Sequence, residues 1–326
     1  MSLDPTQSRK LLDKLLGLGK KLAAGADVSA QVSSSHTGNT RFAQNQLTSS
    51  GDVDEQNLVV DIAFGKRHAS ASSNQLDDAS LAALVDRAAR LARLSPEDPE
   101  RMPPLGAQKY GAAAAHAYDA PTDGLETSVR ANAAAAVMKA GQAQQLETAG
   151  FYQHGGGSRA FASSAGLFGY HKTSKVSFSC TARTGDGTGS GWAGAASNRS
   201  TDVDAAAAGA IAVDKAVRSA KPRTLEPGRY TVVLEPAAVA ELLGFMTGAL
   251  DARSADEGRS FFARPGGGNK LGDAIFGPEI TLRSDPTDAA LGASPFDPEG
   301  LPSPAVSWIE KGKLTRLVYG RFWAQK

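Results

Sequence analysis

The hydrophobic positions begin in a helical rhythm. Leu11, Leu12, Leu15, Leu16 and Leu22 recur near the 3.6-residue period with Lys10, Lys14 and Lys21 between them, which predicts an amphipathic helix over 8–24. The period then drops to two. Val28, Ala30 and Val32 alternate with polar residues, as do Leu58, Val60, Ile62 and Phe64, and both runs read as half-buried strands. The polar stretch His36 to Gln46 between them reads as a hairpin edge. Asp77 or Asp78 can cap a helix from about Ala79 to Leu94, closed before Pro96 because proline disfavours helical geometry in its predecessor. Asp123 and Glu126 stand at capping-box spacing ahead of an Ala-rich helix to about Glu147. From Thr148 the pattern is β-like again, with Val176, Phe178 and Cys180 on one face; Thr201 or Asp202 then caps a helix reaching Ser219. Thr231 to Leu234 reads as an apolar strand broken by Pro236, followed by a helix from Ala237 to Leu250. Val306 to Ile309 and Leu314 to Tyr319 flank Lys311-Gly312 as a β-hairpin.

The strands cluster between helices instead of alternating with them, so the fold class is α+β. Residues 1–220 read as an N-terminal mixed α/β domain with helices packed on a sheet, and 221–326 as a β-rich C-terminal domain. Pro96, Pro99, Pro103 and Pro104 make Ser95 to Tyr118 the best linker, which places an internal boundary near 95–120.

Charge narrows the function. With 35 basic and 34 acidic residues the chain carries a formal +1, without the basic field of a dedicated nucleic-acid binder. Cys180 is the single cysteine, so no intrachain disulfide can form. Leu11 to Leu22 is too interrupted by charge to be a signal-peptide core, and no apolar run approaches the ~20 residues that cross a bilayer. The expectation is a soluble, cytoplasmic protein that binds neither nucleic acid nor membrane.

Candidate chemistry is sparse. Of the five histidines, His36, His68, His116, His154 and His171, no two have the spacing that puts two metal ligands on one helix face. Cys180 alternates with Val176 and Phe178, which favours a small buried hydrophobe over a nucleophile. Glycine at every second position from Gly185 to Gly191 fits neither phosphate-binding motif; it reads as a loop or as a place where another backbone approaches. The loop Arg264-Pro265-Gly266-Gly267-Gly268-Asn269-Lys270 reads either as a structural turn or as backbone donors for a carboxylate or peptide. Asp285, Asp288, Asp297 and Glu299 stand among prolines, where turn capping explains them as well as acid–base work.

Several stretches, taken in order, resemble the TldD/PmbA family. Near the start these are Asn39-Thr40-Arg41-Phe42, the strand Leu58 to Phe64, and Ala69-Ser70-Ala71-Ser72-Ser73. Later come Val232-Val233-Leu234-Glu235-Pro236, Leu242-Leu243-Gly244, Ser260-Phe261, Ser284-Asp285-Pro286, the run Ala293 to Gly300, and Ile309-Glu310-Lys311-Gly312. Proteins of this family pair into peptidase assemblies and were long described as modulators of DNA gyrase. The catalytic kind carries H-E-x-x-x-H on the helix after the Val-Val-Leu strand, with a distant cysteine completing a zinc site. The zinc polarises a carbonyl and activates water, with the glutamate as base. Aligned from the strand, that motif falls on Gly244 to Ala249: Gly244 and Ala249 replace the histidines and Phe245 the glutamate.

The resemblance therefore implies a PmbA (TldE-type) subunit, inactive alone, with no cofactor of its own and with zinc in a partner. It also implies a C-terminal domain truncated relative to the family. The implied partners are a TldD-like zinc-bearing subunit, or a second copy, and an extended peptide bound by strand addition. Position in the family pattern makes Arg264, Gly266, Gly267, Gly268, Asn269 and Lys270, and Phe296, Asp297, Glu299 and Gly300, substrate-facing or partner-facing. The alternatives are a regulatory protein-binding module of the gyrase or toxin–antitoxin modulator type, and a peptidase using a different metal site.

Overall fold

The computed structural model describes residues 2–111, 117–289 and 293–326. The chain separates into two compact units: one takes the residues up to Asp98 with Pro104–Leu225 and Thr287–Pro302, the other Pro99–Pro103, Glu226–Pro286 and Ser303–Lys326.

The first unit is built on a six-stranded antiparallel sheet of order β3-β2-β1-β4-β5-β6. Its strands are β1 (Asp27–Ala43), β2 (Gln46–Phe64), β3 (Arg67–Ser73), β4 (Leu146–Ser163), β5 (Phe168–Thr184) and β6 (Ser190–Ser197). His36 to Gln46 is not an edge. It lies mostly in β1, which is flanked by both β2 and β4, and the chain reverses at Gln44 and Asn45, both with positive φ (51° and 55°). That is the backbone a two-residue hairpin needs to match strand twist. Asn45 fixes the turn by donating to the Leu146 carbonyl at 2.9 Å and accepting from the Thr148 N–H at 2.9 Å.

All the long helices of this unit lie on one face of the sheet. They are α1 (Pro5–Leu22), α2 (Asp78–Leu94), α4 (Thr127–Ala143) and α5 (Ala205–Arg218), with the short α3 (Ala120–Asp123) between α2 and α4. Even-numbered positions of β1 point towards them. Val28, Ala30 and Val32 join Leu12, Leu15, Leu58, Val60, Ile62, Leu81 and Val85 in one core, and Phe42 joins Val137, Tyr152, Val176, Phe178 and Cys180 in another. Each fully buried aliphatic side chain of this kind contributes roughly 1.5–3 kcal/mol, so the period-two pattern fixes which face is covered. Cys180 is one of these core residues, and burial pushes its thiol up to about 11.

Two helix starts differ in detail. The Ala-rich helix α4 begins at Thr127 after Glu126, which makes no side-chain cap, and it ends at Ala143 because Leu146 already enters β4. Asp123 is taken up elsewhere: its carboxylate accepts from Tyr118 Oη at 2.9 Å. The cap of α5 is Asp204, bonded to Ala207 N at 2.9 Å, and Ser200–Asp202 form a separate single turn. The alternating glycines explain how α5 seats on the sheet. A Cβ on Gly189 would lie 2.3 Å from the Ala216 carbonyl oxygen, and one on Gly191 would lie 2.1 Å from that of Ala212. Bare Cα atoms there let helix backbone meet strand backbone directly.

The second unit contains α6 (Pro236–Gly248), α7 (Ala252–Asp256), a three-stranded sheet of β7 (Leu282–Ser284), β8 (Val306–Glu310) and β9 (Lys313–Leu314), and α8 (Arg321–Gln325). Its core is Leu250, Phe262, Ile309, Leu314 and Leu317. The β8–β9 turn falls on Lys311 (φ 47°) and Gly312 (φ 79°), where the hairpin pattern puts it, but the second arm is only Lys313–Leu314 and not Leu314 to Tyr319. Thr231 to Leu234 does not form a strand. It is irregular and solvent-exposed, Val233 at 95%, and no strand among the described residues pairs with it.

Candidate functional site

The helix aligned with the metal motif is α6. It buries none of its residues; Leu242 and Phe245 are exposed at 59% and 79%. Gly244 lies in its body with open space where a side chain would stand, and Ala249 is its C-cap residue. No group of three His, Cys, Asp or Glu among the described residues is placed to hold a metal. The chemistry that α6 offers is an apolar surface.

The Arg264–Lys270 loop belongs to the second unit and is closed on itself. Gly266, Gly267 and Gly268 all have positive φ (88°, 115° and 78°), a backbone that side chains rarely adopt. Arg264 N donates to the Gly268 carbonyl at 2.9 Å, and the Arg264 guanidinium is paired with Asp273. Asn269 donates to Asp256 at 2.6 Å, while Lys270 Nζ donates to the Phe261 carbonyl at 2.6 Å and lies 4.5 Å from the Phe261 ring centroid. Both cations are thus engaged within the unit.

The Phe296–Gly300 loop belongs to the first unit and crosses the sheet face opposite the helices. Phe296 is buried against Phe161 (centroids 4.7 Å apart), Leu167 and Tyr110. Tyr110 Oη donates to the Gly300 carbonyl at 2.8 Å. Asp297 accepts from Glu299 N and Leu301 N, both at 2.9 Å, which is the turn-capping role its neighbours suggested. Phe296→Ala removes a fully buried ring worth about 3 kcal/mol. The expected result is that amide protection across 294–301 falls by about 100-fold in native-state hydrogen exchange; unchanged protection would contradict this packing.

The most developed polar cluster is one the sequence patterns did not pick out. Arg130, in the Ala-rich α4, is completely buried on the helix-covered face of the sheet. All five of its N–H donors find acceptors: Nε reaches Thr40 Oγ1 (3.3 Å), Nη1 Asp52 Oδ1 (3.0 Å) and His154 Nε2, and Nη2 Asp52 Oδ2 (3.2 Å) and Thr127 Oγ1 (3.1 Å). His154 donates from Nδ1 to the Thr122 carbonyl at 2.8 Å, so Nε2 is the acceptor and the ring is neutral. Desolvation depresses its pKa below 6.5, against the hydrogen bond to Thr122, and the Arg130 charge depresses it further. The Asp52 carboxyl is held low by its hydrogen bonds to Arg130, against some desolvation. The strands make room for the cluster with glycine. A Cβ on Gly38 would stand 2.1 Å from Arg130 Nη1 and 2.3 Å from His154 Nε2, and one on Gly156 would meet the Asp123 carboxyl at 2.3 Å.

His154 therefore has both nitrogens committed and is a core hydrogen-bonding residue. His36 leans on Asp54 (3.2 Å), and His68 lies between Asp61 and Asp98 (3.3 Å each). His171 meets Phe296 edge to face, and burial lowers its pKa. His116 lies outside the described residues. No helix among them is long and apolar enough to cross a membrane.

A six-stranded sheet clad by helices on one face, with a second small unit carrying an exposed apolar α6, defines a two-unit α+β protein. Family models described as PmbA/TldA metallopeptidase domain 1, central domain and C-terminal domain match residues 28–92, 113–220 and 227–326. The chain belongs to the PmbA/TldD family of metallopeptidase-related proteins. Solved structures agree on the fold. A proposed modulator of a DNA gyrase from Thermotoga maritima superposes with a TM-score of 0.84 at 17% identity, covering 97% of this chain and 72% of its own. Another from Bacteroides thetaiotaomicron gives 0.84 at 22% identity (97% and 73% covered), and TldE from Thermococcus kodakarensis 0.79 at 18% (97% and 71% covered). No curated protein matches the chain by sequence.

Proposed function

We propose that this chain is a non-catalytic, TldE-type subunit of a TldD-type zinc metallopeptidase assembly. In this reading it works in the cytoplasm, pairs with a zinc-bearing partner and helps to present extended, unfolded peptides for cleavage. The observation that carries the reading is α6, where Gly244, Phe245 and Ala249 replace two metal ligands and a base. A side chain of hydrogen or methyl cannot donate to zinc, and a benzyl group cannot accept a proton. The exposed apolar residues Val232, Val233, Leu242 and Phe245 suit a surface that a protein partner covers. Extended peptide has a place to add. β3 pairs only with Leu58–Phe64 of β2, so β2 from Gln46 to Asn57 has no outer strand among the described residues.

Co-expression with a homologue that carries H-E-x-x-x-H tests the pairing. The two chains are expected to co-elute in size-exclusion chromatography and to cleave casein or an unfolded peptide faster than the homologue alone. Separate elution with no stimulation would reject the subunit model.

A further inference from the structure

The sheet face opposite the helices is solvent-facing at the β1–β4–β5–β6 end, and its side chains there are not ordinary surface residues. Register places Arg41 of β1 beside Phe151 of β4, Phe151 beside Ser179 of β5, and Ser179 beside Gly194 of β6, with Trp192 beside Thr181 one step along. Phe151 and Trp192 are two strands apart, about 10 Å, and only the short Ser179 and Thr181 rise between them. The result is a trough with two aromatic walls and a hydroxyl floor, in a depression of about 370 Å³. Phe151 is 38% exposed and Trp192 47%.

Two features set this trough apart from scattered surface aromatics. The Trp192 indole is placed: its ring atoms lie where a Cβ on Gly194 would stand (2.9 and 3.0 Å), so the missing side chain lets the ring rest on the strand. Arg41 is exposed at the trough's rim, and among the described residues neither its guanidinium nor the Trp192 Nε1–H has a partner. An aromatic slot beside an unpaired guanidinium is complementary to an apolar side chain that has a carboxylate close by on the same peptide.

We propose that this trough is a peptide-binding subsite. It takes an apolar or aromatic side chain between Phe151 and Trp192 and a neighbouring carboxylate on Arg41. The carboxylate comes from the peptide's own C-terminus or from an adjacent acidic side chain. The inference deepens the peptide-presenting role above and rests on it for the class of ligand, but it needs no zinc-bearing partner. It can therefore fail while co-elution succeeds, and the reverse.

The test uses this chain alone and its own fluorescence. N-acetyl-Leu-Phe, N-acetyl-Leu-Phe-amide and N-acetyl-Phe-Glu-amide are titrated while tryptophan emission is recorded, with Trp192→Phe as the control that leaves Trp308 and Trp323 in place. Saturable change is expected with at least one carboxylate peptide, lost in Trp192→Phe. The free acid binding best assigns the C-terminal carboxylate, and the Phe-Glu peptide binding best assigns the acidic side chain. Arg41→Gln is expected to weaken the preferred peptide about fivefold, down to the level of Leu-Phe-amide, and Phe151→Ala about tenfold. Equal binding of the amide and both acids, no binding at all, or a signal that persists in Trp192→Phe would overturn the proposal. So would a concentration-dependent change in Trp192 emission without peptide, which would give the face to a second copy.

Discussion

Asp52→Ala is expected to destabilise the first unit more than Arg130→Met, although Arg130 is the buried member of the pair. Asp52 has 42% of its side chain exposed, whereas Arg130 has none. Removing the carboxylate leaves a guanidinium in the interior with no anion, a situation that costs about 3–5 kcal/mol. Removing the guanidinium leaves a carboxylate that water can reach. Its cost is the lost hydrogen bonds and the unpaired Nε2 of His154, about 1–3 kcal/mol. The double variant should lose less than the two singles together, because the charges answer each other. Urea unfolding followed by circular dichroism reads all three. A larger loss for Arg130→Met, or simple additivity, would show that the pair is not the unit of stability described here.

Acidity should weaken the same cluster by a defined route. His154 binds its proton less readily folded than unfolded, so the unfolded state gains a proton that the folded state refuses, and stability falls as pH drops below the ordinary imidazole value of 6.5. Asp52 acts at lower pH. Its folded pKa is depressed, so its contribution is complete above the usual carboxylate value of 3.8 and disappears as pH falls through the lower folded value.

Gly155→Ala should be nearly as damaging as the loss of Asp52. A Cβ there would stand 2.0 Å from the backbone oxygen of His36 and 3.1 Å from Thr37 Cα. These are backbone atoms of the neighbouring strand, so no side-chain rotation relieves the clash and β1 must move away from β4. Overpacking of this kind costs about 3 kcal/mol. Gly244→Ala is the matched control. It sits in an exposed helix with open space around it, and alanine there should be neutral or stabilise by up to ~1 kcal/mol. Equal losses at the two sites would mean that the close approach of β1 and β4 is not real.

These residues also mark where sequence was and was not informative. Period-two runs such as Val28-Ala30-Val32 and Leu58-Val60-Ile62 revealed the strands and their buried face, because one-sided burial imposes that alternation. Arg130 gave no such signal. In an Ala-rich helix a single arginine looks like a solvated residue, and its partners Thr40, Asp52 and His154 come from three separate strands or strand segments far apart in sequence. The available hint was glycine at Gly38 and Gly155-Gly156-Gly157 inside otherwise strand-like runs, where a strand interior ordinarily disfavours it. Thr231 to Leu234 failed in the opposite direction. Its β-branched composition is strand-like, but a strand needs a ladder partner, and none of the described residues provides one. That Gly244, Phe245 and Ala249 bear no metal-binding or basic side chain is a matter of residue identity and is read without any knowledge of packing.

The subunit account stands or falls on where the zinc is. Metal analysis of the purified chain and of its complex with an H-E-x-x-x-H homologue, each assayed on the same unfolded peptide, measures this directly. The account predicts no stoichiometric zinc and no cleavage for this chain alone, and one zinc per pair with cleavage in the complex. One zinc per chain together with cleavage by this chain alone would contradict it.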